Sequence, residues 1–150
     1  MERSLEELTH MAEASGLYEI YRHCMFLPTR EKFDKKIALF LRDDSVKILV
    51  CRSHGKAVGV IVLSFAAPGS MEIAGIAVDP AARGQGVGSH MIRQAVRRYR
   101  PRHVRAETDD DAVGFYRKNG FRAAAFSEMR GGEAAVRYRC EWSPPRAYDC

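Results

Sequence analysis

Residues 76–89 read I-A-V-D-P-A-A-R-G-Q-G-V-G-S, a short apolar strand running into a glycine-rich turn and a helix start. Glycines let successive backbone N–H groups point at one spot, and a helix start adds partial positive charge there. That is chemistry for an anion, phosphate above all. A Walker A loop is excluded because no lysine follows the glycines. A dinucleotide fingerprint fits poorly: counted from Gly84 its last glycine falls on Ser89, and counted from Gly86 it falls on Met91. The spacing that does fit is Arg-x-x-Gly-x-Gly, at Arg83, Gly86 and Gly88. A plain solvated turn is the alternative for so few residues. A second segment argues against it: Ala112-x-x-Phe115-Tyr116-x-x-x-Gly120-Phe121, an aromatic helix closed by glycine.

Together with the preceding V-D-P, the first motif resembles the acetyl-CoA pyrophosphate loop of the GNAT superfamily of N-acetyltransferases. The second is similar to that family's other cofactor motif. The resemblance extends over roughly residues 46–142. It implies acetyl-CoA as co-substrate and a cleft where two parallel strands splay. Backbone groups of Ile76 and Val78, flanking Ala77, would pair with the pantetheine arm, and one N–H would polarise the thioester carbonyl. Amides of Gly84, Gln85, Gly86, Val87, Gly88 and Ser89 would cradle the pyrophosphate beside Arg83. Phe115 would pack on the pantetheine. Lys118, or part of the cluster Arg97, Arg98, Arg100, Arg102 and Arg105, would meet the adenosine 3′-phosphate. A β-bulge is implied in the first splayed strand, and Gly75 is its natural place.

Attack on a thioester needs a neutral amine, so a base must take a proton. Glu72 is the candidate, on the strand where several family members carry an acidic base. In a regular strand Glu72, Ala74, Ile76 and Val78 would share a face. A solvent-exposed strand glutamate is the plain alternative, and Glu107 is a rival base. Tyr116 is the candidate acid for the thiolate; its plain reading is a core tyrosine beside Phe115. One departure stands out: Asp109 occupies the place of the family's pantetheine-binding Asn. An ionised carboxylate accepts but does not donate, so the contact is altered or moves to Asp111.

Positioning these groups calls for an α/β fold. A helix is expected from Ser4, with Ser4 and Glu7 as a capping box and Leu5, Leu8 and Met11 at helical spacing. A second covers Tyr18 to Cys24. A third starts at Pro28-Thr29, with Phe33, Ile37, Phe40 and Leu41 as its apolar stripe. Strands follow at Val46–Cys51, Ala57–Phe65 and Met71–Val78. The second of these is apolar on both faces and should be covered on both sides. A helix from Val87 to Tyr99, a strand His103–Thr108, the Tyr116 helix and two last strands complete the order. In the last strand Val136, Tyr138, Cys140 and Trp142 alternate, which predicts one buried face. With the resemblance, this predicts a single-domain GNAT-like mixed sheet of about six strands, helices on both faces and a splayed central parallel pair. Residues 1–45 would be a helical, substrate-facing part, 46–142 the acetyl-CoA core and 143–150 a loose tail.

The 150 residues suit one domain. No apolar run approaches the roughly 20 residues that span a bilayer, and the charged N-terminus lacks a signal-peptide core. A cytoplasmic protein without membrane contact is expected. Cys24, Cys51, Cys140 and Cys150 form no CxxC pair and no metal-ligand spacing, so free thiols and no metal are expected. Lys and Arg total 24 against 19 Asp and Glu, a net charge of +5. That excess suits a phosphorylated ligand as well as nucleic acid, and the basic cluster lacks a nucleic-acid motif. The acceptor would be a small-molecule or protein amine, acetylated directly in a ternary complex. A non-catalytic acyl-CoA sensor or partner module is the alternative, and the family's habits suggest a homodimer.

Overall fold

In the computed structural model, which describes residues 2–144, seven strands form one mixed sheet in the order β1-β2-β3-β4-β5-β7-β6. They are β1 (Arg3–Glu7), β2 (Val46–Ser53), β3 (Lys56–Ser64), β4 (Ser70–Val78), β5 (His103–Thr108), β6 (Arg122–Arg130) and β7 (Glu133–Trp142). Only β4 and β5 run parallel. Helices α1 (Tyr18–Tyr21) and α2 (Arg30–Arg42) pack on one face, and α3 (Val87–Tyr99) and α4 (Val113–Lys118) on the other. The tail from residue 145 lies outside the described residues. Among the described residues, no helix is long and apolar enough to cross a membrane.

Strand β3 shows why the sheet must be covered twice. Val60 and Val62 enter the core beneath α1 and α2, whereas Ile61 and Leu63 enter the core beneath α3. All four are 1% exposed or less, so the absence of polar alternation reports two buried faces. Helix α2 begins where the sequence marks it. The Thr29 hydroxyl accepts from Lys32 N–H at 3.1 Å, and Phe33 and Ile37 are buried.

The N-terminus is not helical. Residues 3–7 form an antiparallel edge strand on β2, and only a short 3₁₀ turn (Met11–Ala14) follows. Ser4 pairs with Arg52 in the ladder, and its hydroxyl donates to Glu6 rather than capping a helix with Glu7. Leucine and glutamate favour helices in isolation. Here Leu5 and Leu8 are buried against the sheet, and Leu8 N–H bonds Ile48 C=O at 2.8 Å. Tertiary packing overrides the local preference and raises the strand count to seven. The last strand differs too. Cys140 is fully buried, but Val136 is 49% exposed, because burial fades toward the hairpin tip.

Strand β4 carries the bulge. Its register with β3 steps from Val62↔Gly75 to Leu63↔Ile73, leaving Ala74 as the extra residue. The bulge reverses the facing of the strand. Met71 and Ile73 lie in the α3-side core before it, and Ile76 and Val78 line that same side after it. Glu72 therefore stands on the face opposite Ile76 and Val78, which corrects the expectation of one shared face. Gly75 is required here because a Cβ would fall on the Tyr21 hydroxyl, and Tyr21 is itself buried. Gly75→Ala should cost about 1–3 kcal/mol in urea unfolding. An unchanged midpoint would mean that Tyr21 does not pack against the bulge.

Candidate active site

Strands β4 and β5 are paired only from Ser70↔His103 to Ile73↔Ala106. Beyond the bulge they diverge, and among the described residues β4 from Ala74 onward has no strand partner on its β5 side. The fork opens into a cleft of about 1290 Å³. Its boundaries are the end of β4, the glycine turn, the end of β5, α4, the segment from residue 23 into α2, and the β6–β7 hairpin.

One end is built for an anion. Gly84 and Gly86 adopt left-handed φ values of 77° and 76°, and Gly86 is the N-cap of α3 without any side-chain cap. The first helical bond runs from His90 N–H to Gly86 C=O, so the amides of Val87, Gly88 and Ser89 have no intrahelical acceptor. All three residues line the cleft, with Arg83, Gly84 and Gly86. Burial lowers the His90 pKa, and Arg3, Arg93 and Arg97 lower it further, as expected in a cationic neighbourhood. Gln85 is not among the residues lining the cleft. Its carbonyl accepts from the Arg3 guanidinium at 2.6 Å, so the unforeseen strand β1 pins the glycine turn.

On the opposite lip, α4 presents Phe115, Tyr116 and Lys118 to the cleft. Gly88 permits the closure: a Cβ there would stand 2.9 Å from the Phe115 ring. The loop before α4 places Asp109 and Asp111 on the lining. Asp109 is engaged by its own loop, because its Oδ1 accepts from the amides of Asp111 and Ala112 at 3.1 and 3.2 Å. The basic cluster is dispersed rather than assembled. Arg98 reaches Leu5 C=O at 2.6 Å, Arg105 faces Glu72, and Arg97 and Arg100 line a separate cavity of about 410 Å³ with Phe121 and Trp142.

Three weak acids meet at the fork. Tyr116 is 4% exposed, and its ring packs edge-on against Phe115 and Phe121 at 5.2 and 5.3 Å. Burial holds its pKa well above the usual tyrosine value, with Cys140 and Cys24 adding to the effect. Tyr21 is raised likewise, first by burial and then by Cys24 and Tyr116. Cys24 is exposed as a residue, but its thiol donates to Tyr21 C=O at 3.3 Å, and desolvation there pushes it up to about 11, partly offset by bonding to Tyr21 and to the Ile76 backbone. All three are protonated near neutrality. Tyr21 and Cys24 carry no recognisable motif, and only tertiary contact with the bulge brings them here.

The two acidic candidates separate. Glu107 lines the cleft and pairs with Arg139 at 3.5 Å. Glu72 is not part of the lining; it faces Arg105 at 3.8 Å. The two share the α2-side face of the sheet, because Glu72 lies opposite Arg105 and Glu107 follows two residues on. Among the described residues, no group of three His, Cys, Asp or Glu side chains converges as a metal site would require.

Known proteins share this fold. The sequence pattern of the acetyltransferase (GNAT) family matches residues 14–121. No curated protein is significantly similar in sequence. Among solved structures, an IAA acetyltransferase from Bacillus cereus superposes with a TM-score of 0.70 at 20% identity, covering 95% of this chain and all of that one. A Bacillus subtilis acetyltransferase in complex with CoA gives 0.71 at 17%, over 96% of this chain and 100% of that one. A ribosomal-protein-alanine N-acetyltransferase from Brucella melitensis gives 0.72 at 17%, over 94% and 99%. These likenesses show the shared fold, and the family pattern spans both the glycine turn and the Tyr116 helix. The forked sheet, the uncapped helix start and the matched pattern agree: this chain belongs to the GNAT family of acetyltransferases.

Proposed function

We propose that the protein moves an acetyl group from acetyl-CoA directly to a primary amine held in the fork. The observation that carries this reading is the continuity of the cleft. It joins the uncapped start of α3 to the bulge and to the buried Tyr116. Val87, Gly88 and Ser89 amides, with Arg83, suit a pyrophosphate. Lys118 and Phe115 suit the rest of the nucleotide and its arm. Unpaired β4 backbone at Ile76 and Val78 offers the arm a strand-like partner. The Ile76 amide, which faces the Cys24 thiol, would polarise the thioester carbonyl.

The bound ammonium first loses one proton to become the neutral nucleophile; an N–C bond then forms, the C–S bond breaks, and the nitrogen gives up a second proton to solvent. Tyr116 supplies a proton to the departing thiolate and regains it from solvent. Glu72 takes the amine's proton through water, since its carboxylate stands just before the bulge but outside the lining. Glu107, on the lining itself, attracts the ammonium form. The raised Cys24 pKa disfavours a thiolate nucleophile, so no covalent acetyl-enzyme is invoked. The test is thermal stabilisation by acetyl-CoA, CoA, NAD and ATP, followed by free-thiol release across an amine panel. Stabilisation by acetyl-CoA with thiol release supports transfer. Stabilisation without release on any amine would instead identify a sensor.

A further inference from the structure

Charge inside the cleft is sorted by element. Its acids, Glu107, Asp109 and Asp111, come from the end of β5 and the loop after it. The facing walls are cationic, with Lys36 from α2 and Arg130 and Arg137 from the β6–β7 hairpin. These two walls meet at Phe26. The Arg130 guanidinium sits 4.8 Å from the Phe26 ring centroid, and Gly131 lies against the same ring.

Arg130 is committed, because its Nε donates to Glu128 at 2.9 Å. Arg137 is different. Its side chain is only 12% exposed, and its Nε is shielded from solvent with no hydrogen-bond partner among the described residues. Arg137 forms an ion pair with Glu128, Nε to Oε2 at 3.6 Å, which is beyond hydrogen-bond range and shares the oxygen that Arg130 holds. Because Nε is closed to solvent, a ligand in the cleft would meet the Nη side of this guanidinium. Its planar fork matches a carboxylate, which accepts two parallel N–H bonds.

Position specifies the ligand further. Glu107 pairs in register with Arg139, so Arg137 is its diagonal neighbour on the same face, about 7–8 Å away along the backbone. An acid and a base are thus offered side by side on the floor of the cleft. We infer that the acceptor is an aminocarboxylate whose carboxylate is bound by Arg137, while its amine lies toward Glu107 and the Ile76 amide. This inference rests on the proposed acetyl transfer. A polyamine would instead meet like charge from Lys36, Arg130 and Arg137.

The test compares acceptors in pairs, each amino acid with its own amide, with spermidine as a polycation, by CoA thiol release. Carboxylated acceptors should be preferred over their amides by about tenfold to a hundredfold in kcat/KM, through acceptor KM. Arg137→Gln should collapse that ratio toward one. Arg137→Lys, which keeps the charge but loses the fork, should restore part of it, and a retained KM for acetyl-CoA would show both variants folded. Transfer with equal or better rates on amides or spermidine overturns the carboxylate while leaving acetyl transfer standing. Bound acetyl-CoA with no transfer to any acceptor removes the acetyl-transfer reading, and this inference with it.

Discussion

Tyr116→Phe is expected to lower kcat about a hundredfold and to change the KM for acetyl-CoA by less than about threefold. General acids contribute roughly 10²–10⁴-fold, and a thiolate leaves more readily than an alkoxide, so the lower part of that range applies. The substitution keeps the ring that packs against Phe115 and Phe121 and deletes only the hydroxyl. Steady-state thiol release measures both constants, and an unchanged kcat would end the assignment of Tyr116 as acid. Because burial raises the Tyr116 pKa, its ionisation should impose no loss of rate up to about pH 10, the unperturbed tyrosine value. The same shift fixes a sign for stability. Above pH 10 the unfolded chain gives up phenol protons that native Tyr21 and Tyr116 retain, so unfolding should become easier as pH rises further.

Glu72→Gln should lower kcat about a hundredfold at pH 7, with a deficit that shrinks as pH rises toward the acceptor amine's own pKa. An alkylamine near pH 10 is substantially neutral, and the base is then dispensable. A pH–rate profile of both proteins reads this directly. Full activity of the variant at neutral pH would dismiss Glu72 as base. Glu107→Gln should act elsewhere, raising acceptor KM, because Glu107 lines the cleft whereas Glu72 stands behind it.

What the sequence makes legible is local. The Thr29 cap, the doubly buried β3 and the glycines of the α3 start follow from neighbours within a few positions, and each stands where its chemistry requires. What it conceals depends on partners distant in the chain. Residues 3–7 are a strand because β2 supplies a ladder for them, and the glycine turn is tied to that strand because Arg3 binds the Gln85 carbonyl. The bulge is foreshadowed by Gly75. Its consequence, the opposite facing of Glu72 and Ile76, requires the register with β3. Arg137 is one arginine among many until the hairpin brings it beside Glu128 and the cleft.

Direct transfer within a ternary complex is the central claim, and two-substrate initial-rate kinetics test it most directly. Thiol release is measured while acetyl-CoA is varied at several fixed concentrations of an active amine. Intersecting double-reciprocal lines are expected, with the intact protein mass unchanged after incubation with acetyl-CoA alone. Parallel lines, together with one acetyl group on Cys24, would contradict it.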